Sequence, residues 1–245
     1  MKVFKAATLV VALSFALASA AGANIGFTGS SGTLAASANF SYDSGSNVLT
    51  VVLSNTSAAD VLNPAQVLTA LFFDITGFPP ATLTPMSAML TPGSTVFFGA
   101  DGGGNVGGEF AYGSSLAGAP GAAMLGTSSS GFGLFGGGNF NGPNLQGPNA
   151  VDGVQYGLTS AGDNLANGNA AVTGGNALIK NSVTLQLFSS ADFSETAIHN
   201  VWFQYGTSLD ETRIPSTPEP TTMLLLGLGL AGSGGMGVIR RRRSK

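Results

Sequence analysis

Between residues 24 and 217 the chain repeatedly alternates apolar and polar side chains with a period of two. SVTLQLF at 182–188 sets Val183, Leu185 and Leu187 against Thr184 and Gln186, and NVWFQY at 200–205 sets Val201, Phe203 and Tyr205 against Trp202 and Gln204. Successive side chains of a strand point to opposite faces, so this pattern predicts strands in a sheet with one face buried. Thr33 to Tyr42 and Asn47 to Asn55 flank the turn-like cluster Asp43-Ser44-Gly45-Ser46, and VLTVVLSN is rich in β-branched residues; the pair predicts a hairpin. Val67 to Ile75 (VLTALFFDI) and Ser94 to Phe98 are further strands. No stretch of this region keeps a helical period over several turns, although Ala191 to Ala197 fits one turn after Ser190. The pattern predicts an all-β domain, a sandwich or jelly-roll-like fold.

From about Gly99 to Gly175 the alternation gives way to Gly, Asn, Ser and Ala. Glycine at that density costs too much backbone entropy for regular structure throughout, so part of the segment must be loop. Phe110, Tyr112, Phe132, Phe135, Phe140 and Tyr156 run through it, and unfolded segments usually lack such aromatics. The expectation is short strands and long ordered loops lying over the sheets, with a flexible insertion as the alternative. No fixed internal period marks a solenoid.

The two ends follow different rules. Lys2 and Lys5 precede the apolar run Ala6 to Leu17, and Ala18-Ser19-Ala20 or Ala21-Gly22-Ala23 offers small residues for a signal peptidase. Residues 1–23 are expected to be a secretory signal peptide; an uncleaved anchor is the alternative. At the other end, Pro218-Glu219-Pro220 is followed by Thr221 to Ile239, a run without an ionisable side chain. As a helix it would be roughly 28 Å long, about the thickness of a bilayer's hydrocarbon core. Arg240, Arg241, Arg242, Arg243 and Lys245 come next, and such clusters stay on the cytoplasmic side of a membrane. Residues 24–217 are therefore expected outside the cytoplasm, exported through the inner membrane.

Charge and composition narrow the chemistry. Seven of the nine basic residues lie in the two ends, so residues 24–217 carry only Lys180 and Arg213 against eleven acids, a net charge of −9. That balance argues against nucleic acid and anionic lipid as partners, since both demand clustered Lys and Arg, and leaves any contact with an anionic polymer to cations or neutral groups. The absence of cysteine excludes disulfides, thiol nucleophiles and thiolate metal sites. About 195 residues remain between the two signals, enough for one domain with a real core. His199 is the only histidine, which excludes paired imidazole ligands, and no GxSxG elbow accompanies it. Its placement at the entry to the NVWFQY strand fits a surface histidine. Asp192 with Glu195, or Asp210 with Glu211, could serve as glycosidase carboxylates or equally as loop acids facing water. DGGGN at 101–105 lacks the Lys-Ser/Thr of a phosphate cradle, and AGDNLANGN around Asp163 lacks the third-position oxygen ligand of an EF-hand loop. No cofactor is called for. A loose extracellular calcium site stays open, without a named ligand set.

Pro218-Glu219-Pro220, the glycine-broken apolar run and the arginine cluster, in that order, closely resemble the C-terminal sorting signal of PEP-CTERM proteins. The resemblance covers about thirty residues, 218–245 being the signal, 221–239 its transmembrane helix and 240–245 its basic end. It implies an exosortase, a membrane transpeptidase, that cuts near Pro218-Glu219-Pro220; an ordinary uncut anchor shares the topology. Two prolines favour an extended, solvated backbone that a cleft can read, and Glu219 offers one charge to recognise. GEFAYGSSLAGAPGAAMLGTSSSGFGLFG, GPNLQGP with VDGVQYGLTSAGDN, KNSVTLQLF and VWFQYGTSLDE are similar to the exported domain of one group of exosortase-dependent surface proteins of Gram-negative bacteria. The position of Phe110 is often tryptophan there. That likeness implies placement at the cell surface or in the extracellular matrix, and carries over no catalytic residue.

Three readings follow. The first is a non-enzymatic surface or matrix protein, handled by signal peptidase and exosortase, held in the membrane by its tail before cleavage, and associated with exopolysaccharide. The second is a carbohydrate-binding module that stacks sugars on Trp202 or on tyrosines of one sheet face. The third is a secreted hydrolase built on the acid pairs.

Overall fold

The computed structural model describes residues 24–219, apart from 78, 80–81, 148–150, 169–171 and 173–174. Within them the protein is all-β, with fourteen strands in two sheets. Sheet one runs β14 (Thr217–Pro218), β1 (Ile25–Ser31), β2 (Leu34–Asp43), β3 (Val48–Asn55), β11 (Ser182–Ser189), β5 (Leu83–Leu90). Sheet two runs β13 (Arg213–Pro215), β12 (Ile198–Tyr205), β4 (Leu68–Ile75), β9 (Leu158–Thr159), β10 (Leu178–Lys180), β6 (Thr95–Phe97). β8 (Leu125–Ser128) also pairs with β4, and β7 (Ala111–Ser114) pairs with β8.

Sheet one behaves as the alternation predicts. In β2, Ala36, Ala38, Phe40 and Tyr42 are buried, while Ser37, Asn39, Ser41 and Asp43 lie on the outer face. β3 and β11 repeat the pattern and pair in register, Leu53 with Val183 and Val51 with Leu185. The expected β2–β3 hairpin is present: Asp43 Oδ1 accepts from Gly45 N (2.9 Å) and Oδ2 from Ser46 Oγ (2.8 Å), which locks the turn. β1 and β2 are joined by Gly32-Thr33, where Gly32 takes φ +60°, the conformation a two-residue hairpin demands. The turn expected within Ala191–Ala197 is a 3-10 turn at Glu195–Ala197.

The inner faces of both sheets share one core, so the arrangement is sandwich-like. Phe27, Phe40, Leu49, Val51 and Leu185 come from sheet one, and Leu71, Phe73, Val201 and Phe203 from sheet two.

Sheet two departs from the expectation of a single buried face. Gln204, expected on a solvated face, is fully buried, and its Nε2 donates to the carbonyls of Tyr205 (2.9 Å) and Ser208 (3.1 Å). Trp202 on the same side is half-buried. Gln204 is enclosed by the turn after β12, and beside Trp202 lies a third layer: Ala111, Leu116, Ala119, Ala123, Phe135 and Val151 pack on Ala70 and Phe72, with Phe132, Leu134 and Trp202 at the margin. A strand buried on both sides reads as a continuous apolar run, which is what LTALFFDI in β4 is. The described part of the glycine-rich segment is thus ordered covering, as short strands and loops. It also closes the free edge of β5, where Asn141 N donates to Met86 O and Val106 N to Ala88 O.

Candidate functional site

The last described residues, Pro218 and Glu219, are the first two of the Pro-Glu-Pro sequence. After β13 pairs with β12, the chain crosses to sheet one, with Ser216 N donating to Val201 O (2.9 Å), and β14 adds to the outer edge of β1. Thr217 pairs with Thr28 and Pro218 with Phe27, and Glu219 N donates to Gly26 O (2.8 Å). A proline has no N–H to give a ladder and is tolerated on such an edge. The Glu219 side chain is half-buried and folds over Gly26: a Cβ on Gly26 would stand 2.8 Å from its Cδ and Oε2 and 2.9 Å from Asn39 Oδ1. Gly26 and Asn39 face each other across β1 and β2. Pro220, the apolar run 221–239, Arg240, Arg241, Arg242 and Arg243 lie outside the described residues, as do residues 1–23. No helix among the described residues is long and apolar enough to cross a membrane.

Three of the four carboxylates singled out for hydrolysis are engaged in holding loops. Asp192 Oδ1 accepts from the Tyr42 hydroxyl (3.0 Å) and Glu195 Oε1 from Tyr42 N (3.2 Å), while Phe193 lies against the Tyr42 ring at 4.3 Å. Burial, then the bond to Asp192, raises the Tyr42 pKa. Glu211 accepts from the backbone N–H groups of Thr207 and Ser208 (2.5 and 2.8 Å), closing the loop after β12, and Asp210 is exposed. His199 is exposed inside β12, one residue past its start, with Nδ1 3.0 Å from Ala197 O and 3.3 Å from Thr76 Oγ1. Its register partner Asp74 is turned to Met124 N (2.7 Å) and Asn200 Nδ2 (2.6 Å).

The two glycine-rich loops hold themselves by side-chain caps. Asp101 accepts from Gly103 N and Asn105 from Gly107 N. Asp163 accepts from Val61 N (2.7 Å) and Asp60 from Asn164 N (3.1 Å), a reciprocal clamp between two loops. Asp163 Oδ2 is buried without a hydrogen-bond partner, yet Lys180 Nζ donates to the Asp163 carbonyl (2.7 Å), so the corner already carries a cation. Among the described residues no three His, Cys, Asp or Glu side chains converge as a metal site would require.

Glu109 is the acid that sequence reasoning passed over. It is 3% exposed and accepts from Leu145 N, fixing the 139–147 loop. Burial raises its pKa, against the pull of the Leu145 and Gln146 N–H groups, and the charge of Asp152 adds to the rise. Asp43 is shifted the other way, chiefly by the Ser46 hydroxyl and then by Gly45 N. The two act oppositely on stability. Protonated Glu109 favours the fold below its unfolded pKa, and this contribution is lost as pH rises through the folded value; Asp43 contributes above its unfolded pKa and loses that as pH falls. Carboxyl carbon-13 NMR titration should place Glu109 above, and Asp43 below, the ordinary range for its type. The reverse order would show that burial does not govern Glu109.

The aromatics named as sugar platforms do not form one open face. Tyr42, Tyr156 and Tyr205 are buried and Tyr112 is half-buried. Tyr156, its hydroxyl on Ala100 O (2.8 Å), has its pKa pushed up to about 12 by burial. Trp202 gives its Nε1–H to Asn200 Oδ1 (2.9 Å) and fills the space a side chain on Gly121 would need. Asn39 is legible in sequence only as an outward position of the strand expected at 33–42, and Gly26 lies in β1, a strand that the sequence pattern does not announce; nothing in the sequence names Glu219 as their partner. Comparisons with known protein families, with characterised proteins and with solved structures found no match.

Proposed function

We propose that this chain is an exported, non-enzymatic surface or matrix protein, processed at both ends. Signal peptidase removes residues 1–23. Residues 221–239 hold the precursor in the inner membrane as a transmembrane helix, with Arg240–Arg243 on the cytoplasmic side. An exosortase cuts near Pro218-Glu219-Pro220, leaving the β domain at the cell surface or in the extracellular matrix with exopolysaccharide.

The observation that carries this reading is the ordered succession of motif, apolar run and basic end. The described fold supports it in two ways. The β domain runs directly into the motif through β14. In each candidate acid pair at least one carboxylate is held in a loop contact: Asp192 and Glu195 on Tyr42, and Glu211 on Thr207 and Ser208.

A carbohydrate-binding module is the second reading, favoured by the outer face of sheet one. Ser41, Thr50, Gln186 and Ser87 stand side by side across β2, β3, β11 and β5, an uncharged row of hydroxyl and amide groups on an acidic domain. Such a row matches the hydroxyls of a neutral polysaccharide.

Processing is the test. In a cell with an active exosortase, mass spectrometry of the surface protein should find the C-terminus close to Pro218. Glu219→Ala should leave export intact while the tail-bearing form accumulates in the membrane. Mature protein that still carries Met223 to Ile239 would make the tail a plain anchor and overturn the proposal.

A further inference from the structure

We propose that the sorting motif is latched to the domain it will be cut from: Gly26 and Asn39 form a seat for Glu219, and the processing enzyme gains the motif only after β14 peels from β1. This rests on the processing reading above, and goes beyond it by making release of the strand a step of its own.

The contacts are those of an added edge strand. Thr217 and Pro218 pair with Thr28 and Phe27, and Glu219 N takes the next acceptor along β1, the carbonyl of Gly26. Proline has no N–H, so Glu219 supplies the single backbone donor of Pro218-Glu219-Pro220, and an enzyme that reads the motif through that donor needs the group Gly26 O now holds. Binding to β1 and binding to the enzyme therefore exclude each other. The charged handle is withheld too, because the Glu219 side chain lies over Gly26 beside Asn39 and is half-buried there. Any side chain at residue 26 would meet that carboxylate, so the seat depends on a glycine.

The register adds a second consequence. β1 and β14 are antiparallel, so the chain entering β1 and the chain leaving β14 pass the same end of the sheet edge. The small-residue region Ala18–Ala23 stands directly before β1 in sequence, and Pro-Glu-Pro begins inside β14. Folding thus brings the start of β1 and the start of Pro-Glu-Pro to one corner of the sheet. β14 is only two residues long, and short edge elements open locally at a small fraction of the global unfolding free energy. The latch delays processing until the strand opens; it does not abolish it.

The absence of cysteine makes a clean test possible. Partner residues of adjacent antiparallel strands lie at a separation a disulfide can span, so the double variant Thr28→Cys with Thr217→Cys in the full chain should lock β14 when oxidised. Processing in exosortase-bearing membranes should fall about tenfold or more and recover on adding reductant. A control bridge between β2 and β3, Ser37→Cys with Ser54→Cys, which are also partners, should leave the rate unchanged.

Gly26→Ala displaces only the flexible end of Glu219 and Asn39 Oδ1, so the domain should stay folded. Hydrogen exchange of the Glu219 amide should quicken, and processing with it. A locked chain cut at the wild-type rate would overturn the latch. So would a Glu219 amide that exchanges in the wild-type chain as fast as an unprotected one. If the wild-type chain is not cut by exosortase at all, the processing reading falls, and the exchange of Glu219 in wild type against Gly26→Ala still decides whether the seat exists. The same exchange measurement decides if the cysteine variants do not fold.

Discussion

Gly108→Ala should lower the thermal midpoint of the domain by about 6–12 °C. Gly108 is buried where two stretches of the glycine-rich segment cross backbone to backbone. A Cβ there would stand 2.0 Å from Pro143 O and 2.2 Å from its carbonyl carbon. These are main-chain atoms, so no rotamer change relieves the clash and a stretch of backbone must move. Neighbouring positions repeat the arrangement: a Cβ on Gly107 would meet Asn141 O at 2.2 Å, and one on Gly138 would meet Gly108 O at 2.4 Å. Overpacking typically costs about 1–3 kcal/mol, and a clash with main chain belongs at the upper end. At about 2–4 °C per kcal/mol for a domain of this size, the stated shift follows. Gly136→Ala is the matched control, since a Cβ there meets nothing within 4 Å; it should be neutral or raise stability by about 0.4–1 kcal/mol through the unfolded chain. Melting curves by circular dichroism compare the two. Equal midpoints would mean that residues 105–144 form a loose insertion and not a packed layer.

That contrast shows where sequence reasoning stopped. β2, β3, β4, β6, β11 and β12 were legible because their apolar residues alternate or cluster with β-branched neighbours. β5 was not, because LTPMSAML contains Pro85, which argues against a strand, and the strand survives at the edge of sheet one with a register shift opposite Gln186 and Leu187. β7, β8, β9, β10, β13 and β14 have two to four residues each, too few to display a period. Glycine density marked loop but carried no sign of whether the missing side chains served freedom or close approach. Gly107 and Gly108 serve close approach, and only the opposing chain reveals it. The solvated face expected for Trp202 failed for the same reason, since Leu116, Ala119 and Phe135 of the layer beside it are distant in sequence, while Gln204 is taken up by the carbonyls of Ser208 and Thr212 as the chain turns back after β12. The candidate site divides likewise: Pro218-Glu219-Pro220 is readable as a motif, while its seat at Gly26 and Asn39 joins the two ends of the domain.

Phe40→Ala should be the most damaging substitution in the domain, because Phe40 ties both sheets together. It is fully buried in β2, meets Phe27 of β1 edge to face at 5.7 Å and 89°, and meets Phe73 of β4, across the sandwich, at 5.3 Å and 63°. Such edge contacts add about 0.5–1.5 kcal/mol to the burial of each ring. Truncation removes both and leaves a hole that neighbours rooted in two different sheets cannot close without shifting a whole layer. The cost of a buried Phe→Ala change is about 3–5 kcal/mol, a large fraction of the 5–15 kcal/mol that typically holds a domain together. The thermal midpoint should fall by about 6–20 °C. Phe188→Ala supplies the comparison: Phe188 is 39% exposed on the outer face of sheet one, and substitutions at such positions usually stay within about 0.5 kcal/mol. Calorimetry of the two variants separates the cases. A Phe40→Ala protein melting within about 2 °C of the wild type would mean that the two sheets do not depend on this aromatic bridge.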